Sequence, residues 1–312
     1  MTPSEPLTHS RPGSAFRPLT LSKSRRVAIL SVFKRLYAPT FFLGFLAAAL
    51  TLAGTGGSLI WLPALVVVAI LTSCLAERIA PHEPVWNKPD HDRVRDICHA
   101  VVNEGTIIVL VVLLAVFAAV IPWAPLWPSS LPLWADVALS IIMLDTGITL
   151  VHFASHRVSL LWRFHAVHHS VKRMYGFNGQ LKHPVRQTLE IMGGTLPWLL
   201  LGIPTEVAAL ATFAVAVQLL LQHSNVDMKI GPLKYVWAVA PAHRHHHVAS
   251  AQDGDVNFGL FLTLWDLLLG TARFSSCDGA RAGAIGIHGR PDYPAAYAAQ
   301  FVEPFRQVEI RS

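Results

Sequence analysis

Charged residues are scarce in this chain of 312 residues, of which only 14% are Asp, Glu, Lys or Arg while 53% are hydrophobic. The mean hydropathy of +0.45 lies outside the usual range of soluble globular proteins. Between Leu36 and Ala76 there is no Asp, Glu, Lys or Arg at all. This composition predicts an integral membrane protein.

Cysteine is also rare, because Cys74, Cys98 and Cys277 are the three in the whole chain. They are scattered and lack metal-ligand spacing, so they indicate neither a disulfide framework nor a thiolate site. A bound metal would therefore need nitrogen or oxygen ligands. The chain also lacks a G-x-G-x-x-G motif after a strand and a C-x2-C cluster, so we expect no dinucleotide or iron–sulfur site of its own.

The long apolar runs come in pairs. The uncharged run from 36 to 76 is divided by Gly54 to Ser58 into two arms, each near the ~20 residues that a helix needs to cross a membrane. Two further pairs follow, namely Gly105 to Trp123 with Leu133 to Val151, and the shorter Thr188 to Ile203 with Thr205 to Gln222. The sequence predicts an all-α polytopic membrane protein with four transmembrane helices in two hairpins, an additional short hydrophobic hairpin and a cytosolic histidine-rich helical cap.

The basic residues predict the orientation of the chain. All 25 Lys and Arg residues fall in the segments 1–35, 77–104, 152–187 and 224–312, and none falls in the turns that join the two arms of each apolar pair. Since Lys and Arg accumulate on the cytoplasmic side of short loops, we expect both termini and every histidine cluster in the cytosol. The membrane would be the inner membrane of a bacterium or the endoplasmic reticulum of a eukaryote. Anionic lipid explains the pI of about 9.5 better than nucleic acid, for which there is no motif.

Two regions are predicted along the chain. Residues 1–35 lack the apolar core of a cleaved signal peptide and are predicted to form a flexible basic arm. Residues 36–312 are predicted to form a single membrane-embedded domain that carries histidine boxes between 152 and 247.

Histidine is the polar residue that this chain concentrates. Eleven of its 16 histidines lie between positions 152 and 247. They include the segments HFASH, HAVHH and HRHHH, which begin at His152, His165 and His243. On helices these spacings place the histidines of each segment on one face. We expect the three faces to form a cage of imidazoles.

A bound metal explains these clusters better than ordinary hydrogen bonding does. Isolated histidines usually form ordinary hydrogen bonds, and this applies to His9, His82, His91, His99 and His288. Clustered cationic imidazoles would repel one another, and neutral ones would each need partners for their ring nitrogens. Neutral imidazole is a good ligand for Fe, Zn or Cu, so a metal meets both requirements. A tract that binds metal loosely would have irregular spacing.

The boxes HFASH, HAVHH and HRHHH, in this order around a membrane hairpin, resemble those of the fatty acid hydroxylase and sterol desaturase superfamily. The resemblance extends to WRFHAVHHS, LKHP, QHSN, DVNFG and LWDLLLGT, and covers about residues 77 to 300. It implies a membrane enzyme whose histidine-coordinated non-haem diiron centre uses O2 to hydroxylate or desaturate a lipid-like substrate, such as a sterol or a fatty acyl lipid. Its metal ligands would be His152, His156, His165, His168, His169, His223, His243, His246 and His247. Many members have Arg where this chain has Phe153, which alters the surroundings of the first box but none of its ligands.

Three further residues are predicted near the metal site. Asp145 lies two helical turns before His152 and would be a costly charge inside a span, so we expect it to orient or pack against the site. Asn257 is interpreted either as the holder of a metal-bound water or as a turn residue. His183 precedes a proline and is assigned to the access channel or the surroundings of the ligands, with a helix start or loop as the alternative. His245 should point away from the ligands, since each helical residue turns by about 100°.

The chemistry implies a redox partner. No side-chain base or nucleophile breaks an unactivated C–H bond, so the reaction needs a metal that activates O2. The electrons would come from a ferredoxin, cytochrome b5 or a reductase. Two alternatives are a zinc-dependent membrane hydrolase, whose general-base Glu the boxes lack, and a divalent-metal transporter, whose ligands would lie at mid-membrane. The substrate stays open among sterol, fatty acyl, carotenoid and alkyl-ether lipids, as does the choice between hydroxylation and desaturation.

Overall fold

The computed structural model describes residues 22–120, 126–128, 130–250, 253–274, 281 and 283–306. These residues form ten α-helices, which are α1 (Lys23–Gly54), α2 (Leu62–Ile79), α3 (Arg93–Val120), α4 (Leu133–Arg157), α5 (Ser159–His169), α6 (Pro184–Leu201), α7 (Thr205–Gln222), α8 (Ala240–His246), α9 (Leu264–Leu269) and α10 (Tyr297–Val302). Extended pairing within this part of the chain is limited to isolated bridges such as that between Trp237 and Leu262. The predicted all-α class is confirmed.

Four helices of the described chain are long and apolar enough to cross a membrane, which are α1, α2 with the turn before it (Leu59–Ile79), α4 and α7. Three of them match predicted spans, and α7 matches the second arm of the predicted short hairpin. The remaining predicted span, Gly105 to Trp123, coincides with α3 as far as Val120, and residues 121–125 lie outside the described residues. The architecture is that of a multi-pass membrane protein.

The first helix begins within the predicted basic arm. The side chain of Ser22 accepts a hydrogen bond from the backbone N–H of Arg25 at 3.4 Å and so caps the first turn of α1. Residues 1–21 of the arm lie outside the described residues. From Lys23 to Arg35 the chain is helical, and these basic residues form the first turns of the candidate membrane-spanning helix α1.

Polar bonds place several helix ends on one side of the molecule. Glu77, near the end of α2, accepts hydrogen bonds from the backbone N–H groups of Gly176 at 2.7 Å and Asn225 at 2.9 Å. Lys34, in the first half of α1, donates to Asp227 at 2.7 Å. The start of α1, the end of α2 and the end of α7 therefore lie on the side that carries the histidine segments, which we call the histidine side.

Helices α4 and α6 cross at glycines. A Cβ atom on Gly147 of α4 would collide with the backbone of Gly193 and Gly194 of α6. Small residues let membrane helices approach closely enough for their backbones to touch. This close crossing fixes the direction of α4, which ends with His152 and His156.

Helix α7 lies in the middle of the protein. Most of its apolar window is buried, whereas the windows of α1, α2 and α4 are largely exposed and face the membrane. Gln218 donates to the carbonyls of Ala238 at 2.9 Å and Leu260 at 2.7 Å, and Gln222 donates to that of Gly259 at 2.8 Å. These amides attach the segment before α8 and the loop around residue 259 to the central helix.

Candidate metal centre

The structure gathers all nine predicted ligand histidines into two groups. In each group the possible ligand atoms lie within 4.8 Å of one another. Group one consists of His152, His156, His165, His169 and His246, and group two consists of His168, His223, His243 and His247. Across the described residues, no further cluster of His, Cys, Asp or Glu meets the same spacing.

Helical geometry divides the second and third boxes between the groups. In α5, His165 and His169 enter group one while His168 enters group two. The side chains three and four positions after a given helical residue point in directions that differ by about 100°. They therefore lie on opposite sides of the direction of the first side chain. The third box repeats the arrangement with the groups exchanged. The second and third boxes therefore each serve two points, whereas their spacing had predicted one, and the first box serves group one alone.

In group one the inner nitrogens face one another. The Nε2 atom of His152 lies 3.0 Å from that of His165 and 2.9 Å from that of His246. The Nε2 atom of His169 lies 3.1 Å from that of His165. Each neutral imidazole carries a single N–H hydrogen, so there are too few hydrogens to join every pair of facing nitrogens. Several nitrogen lone pairs therefore point towards the centre of the group.

Group two has the same arrangement. The Nε2 atom of His223 lies 3.2 Å from that of His168 and 3.1 Å from that of His243. The Nε2 atom of His247 lies 3.1 Å from that of His243. His223 follows the last residue of α7, so the central helix contributes its end to the site.

Backbone carbonyls fix the direction of three rings. The Nδ1–H groups donate as follows: His152 to Phe258 at 2.8 Å, His246 to Val256 at 2.9 Å and His168 to Leu181 at 2.9 Å. A carbonyl only accepts, so the hydrogen must be on Nδ1, and the Nε2 lone pair is free to bind a cation. These three histidines are arranged as metal ligands through Nε2.

Burial keeps the imidazoles neutral. All nine histidines are buried. Burial in an apolar interior disfavours the imidazolium form and lowers the pKa of His223 and of His246 to about 3. Burial, followed by neighbouring Arg186 and the other imidazoles, also lowers the pKa of His165 well below its usual value. Neutral rings are the form that binds metal.

His156 lies close to a carboxylate. Its Nδ1 atom lies 3.6 Å from Oδ1 of Asp255, whose two oxygens accept hydrogen bonds from Nη1 of Arg157 at 2.6 and 2.7 Å. The Nε2 atom of His156 is buried without a hydrogen-bond partner. Asp255 also lines a small cavity of about 60 Å³ that reaches group one beside Trp162. Asp255 is thus a carboxylate close to a ring of this group, and the sequence analysis missed it.

A second missed residue is Arg186, at the start of α6. Its Nε–H donates to Nδ1 of His165 at 3.1 Å. Its Nη2 lies 2.8 Å from Glu190, which also accepts from Lys182 at 2.7 Å. Arg186 is fully buried, so a permanent positive charge lies against group one. The sequence signal was an Arg and a Glu four residues apart at the start of an otherwise apolar helix.

Asp145 acts on the site through a loop. It is buried and accepts hydrogen bonds from the backbone N–H groups of Phe261 at 2.8 Å and Leu262 at 3.0 Å, and from the indole of Trp265 at 2.8 Å. This loop follows Phe258, whose carbonyl orients His152. Asp145 thus anchors the loop that follows Phe258.

The other predicted neighbours of the site have structural roles. Asn257 has a φ of +55° and donates to the carbonyls of Ala242 at 2.9 Å and Arg273 at 3.0 Å, which fits the turn alternative. His183 caps α6 by accepting from the N–H of Val185 at 3.2 Å, which fits the helix-start alternative. Neither residue is in either histidine group, and His245 is also outside both.

Comparison with known proteins points to one family. The family model described as fatty acid hydroxylase matches residues 137–271, a range that contains all nine histidines. Over 260 residues the chain is 32% identical to the ornithine lipid hydroxylase OlsE of Rhizobium tropici, an alignment that covers 79% of this chain and 76% of that protein.

Alkylglycerol monooxygenases are more distant relatives. The chain is 28% identical over 145 residues to the enzyme of Danio rerio, covering 46% of this chain and 31% of the enzyme. It is 27% identical over 151 residues to that of Homo sapiens, covering 48% and 32%. The chain thus spans about a third of their length, around the histidine segments. No solved structure matches the chain significantly.

Proposed function

Since this chain belongs to the fatty acid hydroxylase family, we propose that it is a membrane-bound non-haem diiron oxygenase that hydroxylates a lipid with O2 and external electrons. The observation that carries the proposal is the presence of two adjoining groups of buried, neutral histidines. The groups touch, because the rings of His243 and His246, which belong to different groups, have centroids 5.1 Å apart. Two ions would therefore be held side by side.

The number and kind of the ligands suit iron. Group one has five histidines, which is more than the three or four protein ligands that zinc usually takes. Imidazole is a ligand that iron accepts.

The residues around the metals control access to them. Bound iron would supply the oxygen activation and the electron transfer that no side chain provides. The chain holds the imidazoles neutral, and those of His152, His168 and His246 direct an unprotonated Nε2 inward, so no proton has to leave these three rings before a metal binds. The ring of Phe258 packs 5.0 Å from His156 and 5.3 Å from His246, and that of Trp162 packs 4.8 Å from His156. These aromatic rings shield part of group one from water, which would protect reactive chemistry from side reactions.

We propose an acyl lipid with a polar headgroup as the substrate. The relative that aligns over most of this chain is named an ornithine lipid hydroxylase, and the others are named alkylglycerol monooxygenases. These names favour insertion of oxygen over desaturation, and an acyl or ether lipid over a sterol or carotenoid. An ornithine lipid or a related aminolipid is the first candidate.

The electron donor and the orientation belong to the same proposal. A ferredoxin, cytochrome b5 or reductase would deliver electrons from the cytosol, where we expect both termini and the histidine side from the distribution of Lys and Arg. The substrate would enter from the bilayer. The small cavity beside Trp162 lies next to group one and away from the lipid-facing helices α1 and α2.

The test combines metal analysis with isotope labelling. Protein purified without oxygen should contain about two iron ions per chain, and cells that express it should accumulate a lipid with one added oxygen atom. Under ¹⁸O2 that atom should carry the label. Label from water, or stoichiometric zinc with no O2 consumption, would contradict the proposal and favour a hydrolase. Neither histidine group contains the carboxylate that a zinc hydrolase uses as its base.

A further inference from the structure

A long apolar groove runs between α1 and α2, away from the histidines. It encloses about 470 Å³ and is lined by residues that include Phe33, Phe41, Gly44, Leu75 and Ile79. The lining threonines offer no hydrogen to a ligand, because the hydroxyl of Thr40 donates to Leu36 at 2.7 Å and that of Thr72 donates to Val68 at 2.7 Å. The groove therefore presents hydrocarbon to its occupant.

The groove is long enough for one acyl chain. Its lining on α1 extends from Phe33 to Ala48, which corresponds to about 22 Å along the helix. This is more than the depth of one leaflet, which is about 15 Å of hydrocarbon.

The wall of the groove is preformed. The aromatic rings of α1 form a continuous row, in which Phe33, Tyr37, Phe41 and Phe45 have successive centroid distances of 5.6, 5.4 and 5.0 Å. Gly44 adds width, because a Cβ atom built on it would meet no heavy atom within 4 Å. A lipid chain can thus lie against this wall without displacing a side chain.

The two ends of the groove between α1 and α2 differ in charge. At the histidine side, Arg78 is adjacent to Ile79 of the lining, and Arg26 lies two helical turns before Phe33 on the same face of α1. Neither arginine forms an ion pair with a described residue. At the other end, the turn from Gly54 to Ser58 carries no charge. Because basic residues at the membrane surface attract anionic headgroups, the headgroup would lie at the histidine side.

We propose that this groove is a binding site for one acyl chain of a resident anionic glycerophospholipid, whose phosphate lies near Arg26 and Arg78. The lipid is separate from the substrate, because no ligand histidine lines the groove and the cavity that reaches group one shares no residue with it. A lipid tail that moves from the bilayer into the groove exchanges one hydrocarbon environment for another, so the tail does not determine which lipid binds. The selectivity for an anionic lipid therefore comes from the arginines. The inference requires α1 and α2 to lie in the membrane but does not depend on the metal chemistry.

Two glycines provide a matched pair of variants. Gly44→Leu fills the groove, whereas Gly105→Leu places the same side chain at a helical glycine of α3 that also has no heavy atom within 4 Å of its Cβ position. Both replace an exposed glycine with a good helix former, so both should fold. Each protein is purified in mild detergent from vesicles of equal phosphatidylglycerol and phosphatidylcholine, and the lipid that remains bound is measured by mass spectrometry.

Wild type and Gly105→Leu should each retain about one phosphatidylglycerol per chain, and Gly44→Leu should lose most of it. Arg26→Gln and Arg78→Gln should each reduce the preference for phosphatidylglycerol about fivefold. Equal retention in the two glycine variants would overturn the site. Equal binding of the two lipids by wild type would overturn the role of the arginines. Recovery of the bound lipid as a hydroxylated product would show that the groove holds substrate, and would overturn the resident role.

Discussion

His169 of group one stacks on His247 of group two, with ring centroids 4.8 Å apart and planes inclined by 28°. The two histidines come from different boxes, on α5 and at the end of α8. Their contact makes the groups a single unit, because a shift of either ring moves a ligand of the other group. We therefore expect loss of one ligand to weaken metal binding in both groups.

The third box provides a test with an internal control. His246→Ala removes a member of group one that no adjacent side chain replaces, so metal content should fall and turnover should decrease by more than about a hundredfold, the upper range for residues that only orient a ligand. His245→Ala should keep most of its metal, since His245 is in neither group. Iron per chain and turnover are measured for both. Equal loss in the two variants would contradict the assignment.

Asp255 should matter through His156. Asp255→Ala removes the carboxylate that lies 3.6 Å from the Nδ1 atom of His156, so the affinity of group one for metal should fall about 10- to 100-fold. Asp253→Ala is the control, because Asp253 lies in the same loop but pairs with Arg273 at 2.6 Å. Competition with a chelator measures the affinity. If Asp253→Ala and Asp255→Ala lose metal equally, the loop as a whole matters and Asp255 has no specific role.

The crossing of α4 and α6 should tolerate no side chain. Gly147→Ala places a methyl group against the backbone of Gly193, and overpacking of this kind costs about 1–3 kcal/mol of the free energy of unfolding. Gly105→Ala has open space around it and should be neutral or stabilising. Thermal unfolding in detergent compares the two. A Gly147→Ala protein as stable as Gly105→Ala would mean that the helices do not cross this closely.

Acid should destabilise the metal-free protein. Since the pKa of His223 and of His246 is about 3 in the folded state and about 6.5 when unfolded, only the unfolded chain takes up these protons between those values. Stability is therefore constant above about pH 6.5 and falls as the pH decreases towards 3. Melting temperatures of the apoprotein at several pH values, from neutral down to about pH 5, measure the slope. A flat profile would show that the histidines are not buried as neutral rings.

The orientation can be tested with reporters. The basic residues predict that residue 128, between α3 and α4, is outside and that Tyr235, before α8, is in the cytosol. Accessibility of single cysteines to an impermeant reagent distinguishes the two sides. Labelling of position 235 from the outside would reject the layout, although the metal site could still exist.

The sequence predicted what depends on spacing and composition. The apolar runs predicted α1, α2, α4 and α7, and the intervals between histidines identified all nine members of the two groups. It did not predict what depends on distant contacts. Asp145 binds a loop more than 100 residues away, and the collision at Gly147 involves a residue of another helix. Arg186 was missed because a single arginine at the start of a helix also suits the membrane surface.

The order of the ligands along the chain constrains the biosynthesis of the site. Group one needs His246 and group two needs His247, although the first ligand, His152, lies 94 residues before His246. Phe258, whose carbonyl orients His152, is synthesised later still. Neither group can be complete while the ribosome is still producing the membrane helices. If the groups bind metal as proposed, the complete set of ligands becomes available only after the helices before α8 have been synthesised.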